Sequence, residues 1–157
     1  MYAHDEAKQF RLEFWNKFSV ISEIRRRRLG LPRHWILHRT GIAPLSLKFD
    51  INETEQWTSV GFEVKSKNIS DQLSYYYKLQ SLKPVIEKAL GPGTIWDELF
   101  GTEKNKMISR VHLKLTGVSL YNREDWPRMF KFMLEMMLKV EAIFLEYKDF
   151  IGMRPEE

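Results

Sequence analysis

The chain has 157 residues, 43% of them hydrophobic and 29% charged, with 25 Lys and Arg against 21 Asp and Glu. That length suits one domain with a sizeable core, and the composition excludes a globally disordered chain. The absence of cysteine excludes disulfides, thiol catalysis and every cysteine-ligated zinc site.

The net charge of +4 is unevenly placed. Residues 1–24 and 40–157 each balance to −1. Residues 25–39, RRRRLGLPRHWILHR, hold six arginines and no acid. All the excess positive charge therefore lies in one short segment.

The first predicted element is a helix over residues 5–29. Ala7, Phe10, Phe14, Phe18 and Ile21 recur every three or four positions and draw one apolar stripe. Gly30 and Pro32 supply the stop. A short strand is expected at 34–39, with Trp35 and Leu37 on one face. Leu45, Leu47, Phe49 and Ile51 then alternate with polar residues, as do Val60, Phe62 and Val64. The polar stretch 52–56 connects them, so an antiparallel hairpin is expected.

A second helix is expected from Ser70 or Asp71 to Leu90, with Tyr76, Leu79, Leu82, Ile86 and Leu90 facing inward. Pro84 lies inside it and predicts a kink, or a new helix near Ser81. Residues 94–100 read as a weak strand. A firmer one follows, with Ser109, Val111, Leu113 and Leu115 on one face and Arg110, His112 and Lys114 on the other. Asp125-Trp126-Pro127 opens a last helix to about residue 151, by an Asp cap followed by proline. Its predicted seam is Met129, Met133, Met136, Val140, Phe144 and Tyr147.

This order predicts an α+β fold, one mostly antiparallel or mixed sheet of about four strands flanked by three helices, in the order α-β-β(β)-α-β-α. No repeat or linker interrupts residues 1–157, so one domain is expected. The N-terminal MYAHDEAKQF lacks signal-peptide architecture, and no apolar run approaches the ~20 residues of a spanning helix. A cytoplasmic protein without membrane contact is the expectation.

Several spaced motifs together carry a family resemblance. They are Phe14-Trp15 with Phe18, Val60-x-Phe62-Glu63, and Ile86-Glu87-x-x-Leu90-Gly91 with Trp96-Asp97. Ile108, Asp125-Trp126-Pro127, and Lys139-x-Glu141 with Phe144 complete the set. In this order they resemble the bacterial domain-of-unknown-function family 4268 along nearly the whole chain. The resemblance implies a domain found alone or fused behind PD-(D/E)xK nuclease-like domains, and hence an association with DNA processing or defence. It implies no activity, ligand or catalytic residue for the domain itself.

The sharpest chemical candidate is Asp50 with Glu63 and Lys65. A Mg²⁺-dependent nuclease needs two carboxylates on the metal and a lysine near the attacking water. Alternation places these three on one sheet face, and register decides whether they meet. With Asp50 opposite Glu63 the Cβ atoms are ~5 Å apart. A tighter turn centred near Thr54 separates them by four residues, roughly 13 Å. The alternative is the solvated side of a half-buried hairpin.

The arginine segment is the second candidate, through Arg25, Arg26, Arg27, Arg28, Arg33 and Arg39. Guanidinium groups bind phosphates through forked, permanently charged donors, and His34 and Trp35 can stack on bases. The alternative is that cations at a helix C-terminus complement its dipole and cap its last carbonyls.

The pair His34-x-x-x-His38 has metal-ligand spacing but no third ligand nearby, and reads as ordinary polar histidine. The methionines of residues 129–137 read as core, with a homodimer contact expected if Phe130 and Met137 fall outside the seam. Of Tyr75, Tyr76 and Tyr77, at least one must be exposed. No phosphate loop, nucleophile elbow or dinucleotide fingerprint is present.

The leading expectation is a non-catalytic accessory module contacting nucleic acid or another polyanion, needing no cofactor. The alternatives are a Mg²⁺-dependent nuclease, active or degenerate, and a homodimeric interaction domain.

Overall fold

The computed structural model describes residues 4–154. The first helix, α1, runs His4–Arg28. Its buried side chains are Phe14, Phe18, Ser22 and Arg26, a strict four-residue spacing. The predicted stripe holds at Phe14 and Phe18 and then departs from expectation, because Ile21 is exposed and Arg26 takes the inward position.

Strands β1 (Leu45–Asn52) and β2 (Trp57–Val64) form the expected hairpin, paired from Leu45↔Val64 to Asn52↔Trp57. Its turn is built by Asn52, whose Oδ1 accepts from the backbone N–H groups of Thr54 and Glu55. Gln56 closes it in the left-handed region at φ 60°.

Two helices follow, α2 (Ile69–Ser81) and α3 (Lys83–Leu90), meeting at Leu82 with Pro84 in the first turn of α3. Proline there needs no intrahelical donor, so the break falls where the sequence placed it. The cap of α2 is Asn68, two residues before the expected Ser70, with its side chain accepting from Asp71 N–H. Tyr75, Tyr76, Leu79, Leu82, Ile86 and Leu90 are buried, and Tyr77 is the exposed tyrosine.

β3 (Ile95–Gly101) and β4 (Met107–Thr116) complete one antiparallel sheet of order β1-β2-β4-β3. A 3₁₀ turn, Arg123–Asp125, leads into α4, Trp126–Gly152. Asn122 caps that turn, while Asp125 accepts from Ser119 N–H and makes no cap bond to α4. Among the described residues no helix is long and apolar enough to cross a membrane.

The helices pack on one face of the sheet. Leu45, Leu47, Val60, Phe62, Val64 and Val111 meet Met129, Met133, Met137, Val140 and Phe144 of α4 in a single apolar cluster. The expected fold class is therefore observed, as α+β with four helices instead of three because of the break at Leu82.

The expected strand at 34–39 is absent; the segment is irregular. Its backbone groups are held by side chains instead of a ladder. Arg26 donates to Pro32 O and His34 O, and Ile36 N–H donates to Glu141. Leu37 O accepts from Leu47 N–H, so the segment touches the β1 edge at that bond and covers it.

Candidate functional site

The open face of the sheet carries the candidate catalytic residues. Asp50 is paired with Ser59 and Glu63 with Ser46, so their strand positions differ by four residues, the less favourable of the two registers. The side chains reach toward each other across Lys48. Its Nζ lies 3.1 Å from Glu63 Oε1 and 4.0 Å from Asp50 Oδ1. An ammonium thus occupies the ground between the carboxylates. Burial pushes the Asp50 carboxyl above its ordinary value, and Lys48 only partly offsets this. Lys65 stands one residue beyond β2, exposed, with its backbone N–H on Pro44 O.

On the same face Asp97 of β3 bridges β4, accepting from Arg110 Nε at 2.7 Å and lying 3.1 Å from His112 Nε2. Burial works to raise the Asp97 carboxyl, but its bonds to Arg110 and His112 hold it below the ordinary range. His112 is only 4% exposed, and desolvation lowers its pKa against the pull of Asp97. It fits beside Gly61, where a Cβ would stand 2.0 Å from Val111 O and 2.6 Å from His112 Cα. Among the described residues no group of three His, Asp or Glu side chains is arranged to hold a metal ion.

The arginine segment divides into two kinds of residue. Arg26 is 1% exposed and is a structural group. Its Nη1 donates to Glu141 Oε1 at 2.7 Å, Nε to Pro32 O and Nη2 to His34 O. Its guanidinium lies 4.4 Å from the centre of the Trp35 ring. Arg26 is thus corrected from a surface contact to the pin that holds the segment, because an acid 115 residues away neutralises it in the interior. Arg33 is exposed and bonded to Glu23 at 2.9 Å. Arg25, Arg27, Arg28 and Arg39 have no carboxylate partner among the described residues.

The end of α1 shows what these free arginines do not do. Gly30, at φ 71°, donates to Arg27 O, Leu31 donates to Arg26 O and Leu29 donates to Arg25 O. This is a Schellman closure, in which backbone donors satisfy the last carbonyls. The arginine side chains are not needed as caps.

Beside this end lies a cavity of about 290 Å³ between α1, the 33–39 segment and β1. Trp15, Phe18, Trp35 and Phe49 form its aromatic wall, with centroid separations of 5.2–6.2 Å among contacting rings. Arg33 and Arg39 also line it. Ser22 Oγ and Trp35 Nε1, both in its lining residues, are buried without a hydrogen-bond partner. Leu37, in the wall, has φ 44°, a strained value for a branched side chain.

His34 and His38 lie on irregular, exposed backbone and share no helical face. Met129, Met133 and Met137 are fully buried and Phe130 nearly so; Met136 is half-buried. The seam thus uses Met137 where Met136 was expected.

Glu141 and Asp97 stood in the sequence only as motif residues and His112 only as part of a polar strand face, with no partner assigned to any of them. Glu141 had one signal, an acid four residues after Met137 in an apolar seam. The pairing of Asp97 with His112 had none, since it depends on the β3–β4 register.

A family model, Domain of unknown function (DUF4268), matches residues 10–148. No curated protein and no solved structure matches the chain.

Proposed function

We propose that the chain, which belongs to the DUF4268 family, is a non-catalytic module that contacts nucleic acid through the end of α1 and the segment after it. One observation carries this reading. Arg25, Arg27 and Arg28 stand at a helix end whose carbonyls are already closed by backbone, and Arg39 lies on the segment that follows. No carboxylate among the described residues pairs with them. Cations so placed, beside an aromatic cavity, suit a phosphate backbone.

The test is fluorescence anisotropy of labelled single- and double-stranded DNA against salt, comparing the native chain with an Arg25→Ser, Arg27→Ser, Arg28→Ser triple variant. Arg26 must be left intact, since it is structural. Loss of three phosphate contacts lowers the slope of log K against log salt by about two to three. Equal slopes for the two proteins would falsify the reading.

A Mg²⁺-dependent nuclease stands second. Asp50, Glu63 and Lys65 share a face, but the carboxylates are offset by four residues along the strands and the ground between them is held by the Lys48 ammonium. The homodimer reading loses its ground, because Phe130 and Met137 belong to the core.

A further inference from the structure

The geometry points to a base-binding pocket. We propose that the cavity between α1 and the 33–39 segment takes one unstacked nucleobase of a single strand, while the free arginines hold the strand's phosphates. The inference rests on the nucleic-acid reading above and adds what the pocket itself recognises.

Three observations converge on a planar, polar, anion-linked ligand. The first is size. A half-open cavity of about 290 Å³ lies at the small end of ligand sites and has room for a single base. The second is the wall. Trp15, Phe18, Trp35 and Phe49 line it, and Trp15 is 37% exposed. Arg26 already covers one face of Trp35, fixing that ring in place. Aromatic side chains of this kind accept any base by stacking.

The third observation separates a base from a purely apolar guest. Ser22 is 3% exposed, and among the described residues its hydroxyl has no partner; the indole N–H of Trp35 is buried and equally unpaired there. Buried donors are normally satisfied, and two orphans on residues that line one cavity are groups an acceptor-bearing occupant would satisfy. Ring nitrogens and carbonyls of a base supply such acceptors, whereas a lipid chain or an aliphatic side chain supplies none. Arg39, without a carboxylate partner, lines the same cavity and suits the phosphate attached to that base. Glu23, already bonded to Arg33 at the rim, is the acceptor available to an exocyclic amine.

The experiment compares a fluorescein-labelled single-stranded 12-mer with an abasic 12-mer of equal charge, at fixed salt. Heparin serves as a base-free polyanion. The base-bearing strand is expected to bind about tenfold more tightly than the abasic one. Ser22→Ala removes one donor and keeps the packing; Trp35→Phe removes the other and shortens the ring, so its fold is checked by circular dichroism. Both are expected to reduce that ratio to within about threefold while leaving abasic binding unchanged.

Equal binding of the two strands by the native chain overturns the pocket and leaves the arginine reading standing. A ratio unaltered by both variants also overturns it. If neither strand binds but a nucleoside monophosphate quenches tryptophan fluorescence, and Ser22→Ala weakens that quenching, the pocket stands and the nucleic-acid reading falls. Failure of strand and monophosphate alike overturns both.

Discussion

Arg26 of α1 and Glu141 of α4 meet at 2.7 Å with 1% and 3% of their side chains exposed. The second oxygen of Glu141 accepts Ile36 N–H, and the other nitrogens of Arg26 hold Pro32 O and His34 O. One ion pair therefore ties two helices and the irregular segment together. Removing either partner leaves an uncompensated charge in the interior. Arg26→Ala and Glu141→Ala should each cost about 3–5 kcal/mol, read by urea denaturation. A loss below ~1 kcal/mol for both would show that the pair is dispensable.

The neighbouring arginines should behave otherwise. Arg25→Ser, Arg27→Ser and Arg28→Ser, alone or combined, should shift stability by no more than about 0.5 kcal/mol each, since they touch solvent and the helix end is closed without them. The contrast with Arg26→Ala separates the structural arginine from its neighbours in one series.

Stability should depend on pH through His112. The unfolded chain takes up a proton near pH ~6.5, whereas burial holds the folded imidazole below that value. Between the two values the unfolded state binds more protons. Stability is thus complete above about pH 6.5 and declines as the pH falls through the folded value. Asp97, held low by Arg110 and His112, adds a loss of the same sign below about pH 4. Denaturation midpoints at pH 7.5 and 5.5 should differ in the native chain and differ less in His112→Gln. Identical pH profiles would remove His112 as the cause.

Gly61 is irreplaceable on steric grounds. An added Cβ meets the backbone of Val111 and His112 on the adjacent central strand, where neither atom is free to move away. Gly61→Ala should force β2 and β4 apart and cost about 3 kcal/mol or more, seen by circular dichroism and melting.

The remaining readings make opposite forecasts for two further variants. Met137→Ala should cost about 2–5 kcal/mol as a core deletion, with no change of mass by light scattering. Plasmid DNA with Mg²⁺ or Mn²⁺ should stay intact. Cleavage abolished in Glu63→Gln would restore the nuclease reading.

What the sequence disclosed follows from where the information lies. Strand alternation at 45–51 and 60–64 reports a local contrast of buried and wet faces, so hairpin and facing were legible. The polar connection at 52–56 was legible too, but it left both registers between Asp50 and Glu63 open, since loop length is set by which residues pair. The 34–39 segment was misread because Trp35 and Leu37 alternate like a strand, while the groups that satisfy its backbone come from Arg26 and Glu141. Four identical arginines in a row give no local hint of which one turns inward. His112 lay on a face marked polar by Arg110 and Lys114, and its burial depends on Asp97 from the next strand.

The Arg26–Glu141 bond also sets an order of events during synthesis. The arginine emerges early and its partner 115 residues later. Such a distant closure must await synthesis past the middle of α4, after the hairpins and shorter helices have been made. Until then the guanidinium has no counter-charge and the 33–39 backbone no anchor. The cationic end of α1 and its aromatic hollow therefore cannot be completed before residue 141 is made, and a nascent chain halted before it would carry the charges without the pin that holds the 33–39 segment.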